Sequence, residues 1–169
     1  MRRPSAAARL ARGLRAPMMF WEDFHEGHVA SCGRYVVGRE EIVAFAKQYD
    51  PSPIHLDDSA AEATRLGGLS ASGWHVCCIC MRLVADGLLV GSECLGSPGV
   101  DEVRFLRPVH PGTVLTLRRH VLDTRTSKSR PEMGLVKFRF ELLDADSEIM
   151  FDMVGTLLFG RRNPGFRPA

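Results

Sequence analysis

The stretch Ser72-Gly73-Trp74-His75-Val76-Cys77-Cys78-Ile79-Cys80-Met81-Arg82-Leu83-Val84-Ala85 decides the fold. From Trp74 to Leu89 nearly every face of a helix drawn on this stretch is apolar, and a helix apolar all round is surrounded by protein. Ser72 is a natural N-cap, and Gly73 opens the first turn. The run is broken by Arg82, Asp86 and Gly87 and falls short of the roughly 20 apolar residues that span a bilayer. It therefore predicts a central helix wrapped by the rest of the chain, and no membrane association.

The wrapping is legible on both sides. Upstream, a short strand is predicted around Ser31 to Val37, ended by Gly38, and Ile42, Val43, Phe45, Ala46 and Tyr49 recur at helical spacing over Arg39 to Tyr49. Downstream, Val136, Phe138, Phe140 and Leu142 alternate with Lys137, Arg139 and Glu141, and Ile149 to Phe159 keeps one parity. Asp144-Ala145-Asp146-Ser147 reads as the hairpin turn between them. With Val100 to Leu106, and Thr113 to Leu122 after the Pro111-Gly112 break, four strands are predicted as an antiparallel run. The class is α+β. The aromatic opening segment Met19 to Phe24 should pack over the domain's edge, and Ser59 to Glu62 has capping-box spacing for a short helix through Arg65.

Chemistry concentrates in Gln48-Tyr49-Asp50-Pro51-Ser52-Pro53-Ile54-His55-Leu56-Asp57. The residue before a proline is pushed out of the α region, so Asp50 and Ser52 should both be extended and the helix must stop at Tyr49. A stiff loop holding a carboxylate and an imidazole suits positioned proton transfer. The competing structural reading makes Asp50 a cap and His55 a packed loop histidine. The N-terminus of the central helix, at Ser72 and Gly73, offers unpaired amides to developing negative charge.

Four separated segments resemble the MaoC-like dehydratases, the (R)-specific enoyl-CoA hydratases. They are the loop from Asp50 to Asp57, Gly67-Gly68-Leu69-Ser70-Ala71-Ser72-Gly73-Trp74-His75, Val103-Arg104-Phe105-Leu106-Arg107-Pro108-Val109-His110-Pro111-Gly112, and Ser127-Lys128-Ser129-Arg130-Pro131-Glu132-Met133-Gly134. They occur in the family's order, and the resemblance as a whole covers roughly Met18 to Arg162; the chain departs at Ser52, where many hydratases carry Asn. The resemblance implies a hotdog fold, an antiparallel sheet wrapped around a central buried helix. It implies hydration of a trans-2-enoyl-CoA, or the reverse dehydration of a 3-hydroxyacyl thioester, with Asp50 and His55 as the acid/base pair. Ser52, Pro53, Ser72 and Gly73 are then candidates for binding the acyl thioester, with Gly73 leaving room for its close approach. Lys128 and Arg130 are candidates for gripping coenzyme A phosphates, against their reading as a solvated hairpin. The carrier is CoA or acyl carrier protein, no cofactor is called for beyond the CoA of the substrate, and no metal site is expected. Members of the family pair edge to edge, which implies at least a homodimer. Two other classes stay open: a non-catalytic acyl-thioester-binding subunit, and a hotdog thioesterase, which needs a carboxylate on the central helix where none precedes Asp86.

Composition bounds these readings. At 169 residues with 45% hydrophobic and 25% charged side chains, the chain fits one globular domain. The formal charge of +2 conceals an Arg-rich leader, since residues 1–17 carry Arg2, Arg3, Arg9, Arg12 and Arg15 and no acid; without it 17 basic face 20 acidic side chains. No basic face for nucleic acid is expected on the remainder. The leader is expected to be disordered, as an upstream start before Met18 and Met19 in a bacterial, cytoplasmic protein or as a mitochondrial presequence sending it to the matrix. Residues 18–162 are taken as the domain and 163–169 as a tail. Five cysteines, three of them on the central helix, lack the pattern of a zinc site or disulfide framework and read as small apolar residues; a reducing compartment suits them. His75 reads as a packed core histidine, and no Gly-x-Ser-x-Gly elbow accompanies Ser70 or Ser72.

Overall fold

The computed structural model describes residues 18–162; the expectations for the leader and the tail fall outside the described residues. The chain runs β1 (Val29–Val36), α1 (Arg39–Tyr49), α2 (Asp58–Glu62), α3 (Gly73–Val84), β2 (Cys94–Phe105), β3 (Val114–Thr126), β4 (Met133–Leu143) and β5 (Ile149–Gly160). A five-stranded antiparallel sheet in the order β1-β3-β4-β5-β2 wraps α3, giving the hotdog arrangement that the sequence predicts. α3 continues through a π-helical turn, Ala85–Leu89, to the predicted end.

The sheet's inner face is set by side-chain parity. Phe138 and Phe140 on β4 share the core with Phe151 and Phe159 on β5 and with Ile79, Cys80, Leu83 and Val84 of α3. Leu83 reaches β1 at Gly33, where φ is +69° and a Cβ would stand 2.6 Å from the leucine's methyl; the strand bulges there because only glycine meets both demands. The opening segment goes deeper than the domain's edge. Phe24 is buried between Phe138 and Phe159, and the Trp21 indole covers Gly134 and donates to the Leu135 carbonyl.

Three expectations change. First, the four downstream strands are antiparallel as predicted but do not lie in chain order: β3, β4 and β5 are consecutive neighbours, and β2 lies on the far side of β5. The segment between β2 and β3 carries Pro108 and Pro111, too stiff for a tight hairpin. It crosses the N-terminal end of α3, with Ala71 N–H donating to the Val109 carbonyl, and arrives beside β1, with Gly112 N–H donating to Val37. Second, α2 is capped by Asp57, whose carboxylate accepts from Ala60 N–H, and ends at Glu62. Third, α3 is not covered all round. The sheet and α1 bury His75, Val76, Ile79, Cys80, Leu83 and Val84, while Trp74, Cys78 and Met81 form an exposed stripe.

Candidate active site

α1 ends where the proline loop begins. Glu41 reaches back to cap the helix's first turn at Gly38 N–H, and the last turn closes with Asp50 N–H on the Ala46 carbonyl. Asp50 and Ser52 both lie outside the α region, as a following proline demands. Pro53–His55 then forms a single 3₁₀ turn. That turn aims Ile54 and His55 inward and leaves Pro53 exposed.

His55 is buried, and its Nδ1 lies 2.7 Å from the carbonyl of Ser70, itself buried. A carbonyl can only accept, so Nδ1 carries the proton and donates, and Nε2 is the nitrogen left to exchange a proton. Nε2 faces Asp50 Oδ2 across 3.5 Å. The separation is too long for a strong hydrogen bond, so a small polar molecule bridging the two groups would satisfy both. The Asp50 side chain is 32% exposed and that of His55 11%, so the pair sits at a mouth.

That mouth opens on a cavity of about 480 Å³, within the range of small-molecule sites. Asp50, His55 and Ser70 form its polar side, and Gly73 at the start of α3 borders it. Ile54, Leu66, Val109 and Met150 supply apolar wall, and Arg107 is the one arginine or lysine lining it. The helix end is oriented by Ser72, whose Oγ accepts from Trp74 N–H at 3.2 Å.

The structure sorts the predicted residues. It brings Asp50, His55 and Gly73 to one cavity. Ser52 and Pro53 do not line it, because the 3₁₀ turn puts them on the loop's outer side. Ser72 does not line it either, being buried and used as a cap. On the side where a Cβ would stand, Gly73 meets the Phe105 ring at 2.7 to 2.9 Å, so its missing side chain makes room for Phe105. Lys128 and Arg130 occupy the β3–β4 hairpin, beside the C-terminal end of β5, whereas the cavity borders the first residues of β5. A sheet's length separates them from the cavity.

Other candidates resolve as packing. His75 is buried and stacked on Phe45, with ring centroids 4.7 Å apart, and burial holds its pKa below the ordinary 6.5. Cys80 is buried and its thiol is pushed up by desolvation, while Cys77 is half-buried and Cys78 exposed; all five cysteines are free. Asp86 pairs with Arg82 at the exposed far end of α3, so no helix carboxylate is aimed at the cavity. Among the described residues no group of three or more His, Cys, Asp or Glu is placed to hold a metal ion. Nor is any of their helices long and apolar enough to cross a membrane.

Sequence reading missed Phe105, Arg107 and Met150 as cavity residues. Phe105 and Arg107 stand in a segment that carries the family likeness, but their place depends on β2 ending beside the start of β5.

Comparison with known proteins identifies the family and the fold. A profile described as MaoC like domain matches residues 24–137. The structure is similar to that of a MaoC-like dehydratase from Rhodospirillum rubrum, with 34% identity, a TM-score of 0.78, and coverage of 86% of this chain and 99% of that one. It also resembles an (R)-hydratase from A. caviae involved in PHA biosynthesis, at 18% identity and a TM-score of 0.64 over 83% of this chain and 99% of that chain, a likeness of fold. In sequence, 67 residues are 39% identical to a mesaconyl-CoA hydratase of Haloarcula marismortui, covering 39% of this chain and 19% of that enzyme.

Proposed function

The chain belongs to the MaoC-like domain family, and on that premise we propose that it is a hydro-lyase adding water across the C2=C3 bond of a trans-2-enoyl thioester, or removing it from the 3-hydroxyacyl product. The observation that carries the reading is the His55 ring, fixed through Nδ1–H to Ser70, with Nε2 turned to Asp50 beside the helix N-terminus at Gly73. In this reading the thioester oxygen accepts from the Gly73 N–H, where the dipole of α3 favours the enolate-like charge of the transition state. A water held between Asp50 and His55 attacks C3. One member of the pair takes its proton and the other delivers a proton to C2, so H and OH add across the double bond.

A second copy of the chain completes the proposal. β2 pairs only with β5, and its other edge presents unpaired backbone together with exposed Leu95, Val100 and Phe105. The stripe of Trp74 and Met81 on α3 adds exposed apolar surface. Edge-to-edge pairing of β2 with its mate covers such an edge. Being antiparallel, it turns the partner's β3–β4 hairpin toward the cavity end, and Lys128 and Arg130 can serve coenzyme A phosphates only in this way. No cofactor takes part beyond the carrier of the substrate.

The test is the loss of absorbance of the conjugated thioester over a panel of enoyl-CoA chain lengths, with the configuration of the product determined. Hydration to the (R)-3-hydroxyacyl thioester is expected. Unchanged absorbance across the panel contradicts the assignment.

A further inference from the structure

We propose that Arg107 selects acyl groups that carry a carboxylate, so that the substrates are short enoyl thioesters of dicarboxylic acids; this rests on the hydratase reading above. Arg107 is the one arginine or lysine among the lining residues, and its neighbours in the wall are apolar: Leu106, Pro108, Val109 and Met150. Its backbone is held from both sides. The N–H groups of Leu106 and Arg107 donate to the Met150 carbonyl at 3.0 and 3.2 Å, and the Val109 carbonyl accepts from Ala71, next to the buried Ser70 that fixes His55. Pro108 keeps Arg107 extended. The Arg107 backbone is therefore anchored where the sheet meets the helix end, and its side chain stands more than half exposed at the edge of the cavity.

Its present partner is weak. Arg107 Nη2 donates to Glu148 Oε2 at 2.5 Å, and both side chains are more than half exposed, so the pair exchanges readily with another carboxylate. A guanidinium has five N–H donors in a fork that fits a carboxylate bidentately, and Glu148 engages one nitrogen. A purely aliphatic acyl chain would offer no partner to the N–H donors that Glu148 leaves unused. A carboxylate at C4 or a few bonds beyond would engage them. The phosphates of coenzyme A offer the same chemistry, but the pantetheine arm separates them from the thioester by more than the width of a cavity of about 480 Å³.

The experiment compares kcat/KM for fumaryl-CoA, with a carboxylate at C4, and crotonyl-CoA, with a methyl there, in the full chain and in Arg107→Gln and Glu148→Gln. A charge-assisted contact implies that the fumaryl preference falls roughly 10- to 100-fold in Arg107→Gln. It should rise severalfold in Glu148→Gln, which removes the competing carboxylate; melting curves establish that both variants fold. The same shifts should appear with N-acetylcysteamine thioesters, which carry no phosphate. If Arg107→Gln lowers both CoA substrates equally and leaves the small thioesters untouched, the arginine binds coenzyme A phosphate and the proposal fails while the hydratase reading stands. An unchanged preference in both variants overturns it likewise. If the native protein hydrates neither substrate nor the wider panel, the hydratase reading fails first and this inference with it.

Discussion

The two ends of the sheet treat polar groups in opposite ways. At the hairpin end, the Trp21 Nε1–H is taken up by the Leu135 carbonyl, Arg161 donates to the Pro131 carbonyl and stacks over the Trp21 ring, and Arg162 holds Asp23. At the cavity end, the His55 Nε2 and Asp50 face each other at 3.5 Å without closing, and Arg107 spends one nitrogen on an exposed glutamate. Matched groups stabilise a fold; groups left short of a partner are available to a ligand. The difference marks one end as a clamp and the other as a site.

The largest effect that could break this contrast is on rate. Asp50→Asn or His55→Ala should lower enoyl-CoA hydration about 10²- to 10⁴-fold, because each removes a positioned acid/base. The melting temperature should hardly move in Asp50→Asn, at the cavity mouth, whereas His55→Ala also leaves the buried Ser70 carbonyl without its donor and should cost about 1–3 kcal/mol. Rates within twofold of the native protein would remove the pair from the chemistry. At the opposite end the signs reverse. Gly134→Val drives a side chain into the Trp21 indole, and overpacking of this kind costs about 1–3 kcal/mol, which lowers Tm by roughly 2–12 °C. Hydration measured well below that Tm should survive; a variant that melts like the native protein would show that Trp21 is no clamp.

Smaller changes sharpen the contrast. Lys128→Glu with Arg130→Glu should raise KM for CoA thioesters at low salt and spare kcat, through the partner's cavity, because a contact remote from the reacting bond serves ground and transition states alike. An unchanged KM leaves these residues as a solvated hairpin. The smallest effect concerns His75. Burial depresses its pKa in the folded state, so the unfolded chain takes up a proton more readily. Its contribution is complete above pH 6.5 and is lost as pH falls from there through the lower folded value. Tm should decline between pH 7.5 and 5.5, and less steeply in His75→Phe; parallel curves would assign the decline elsewhere.

What could be read in advance followed local rules. α1 spans Arg39–Tyr49 as predicted, because its apolar period and the Asp50-Pro51 stop are both local signals. Alternation on β4 and β5 placed their strands and core faces. The position of β2 beyond β5 was not legible, since alternation reports faces and not neighbours. The same gap explains the site. Asp50 and His55 are five residues apart on one stiff loop, so their meeting was foreseeable. Lys128 and Arg130 were assigned from their charge in a family-like segment, and only strand register shows that they stand at the other end. The neighbour of Gly73 was hidden for a related reason, as the ring beside its missing Cβ comes from Phe105, more than thirty residues away.

The central claim is that Asp50 and His55 act as one unit on one water. A cycle of Asp50→Asn, His55→Ala and the double variant, each assayed for kcat of enoyl-CoA hydration at a temperature where all are folded, tests it directly. Groups that act as a unit are not additive. The account predicts a double variant no slower than the slower single one, within about threefold. Losses that multiply, to the product of the two single effects, would contradict it.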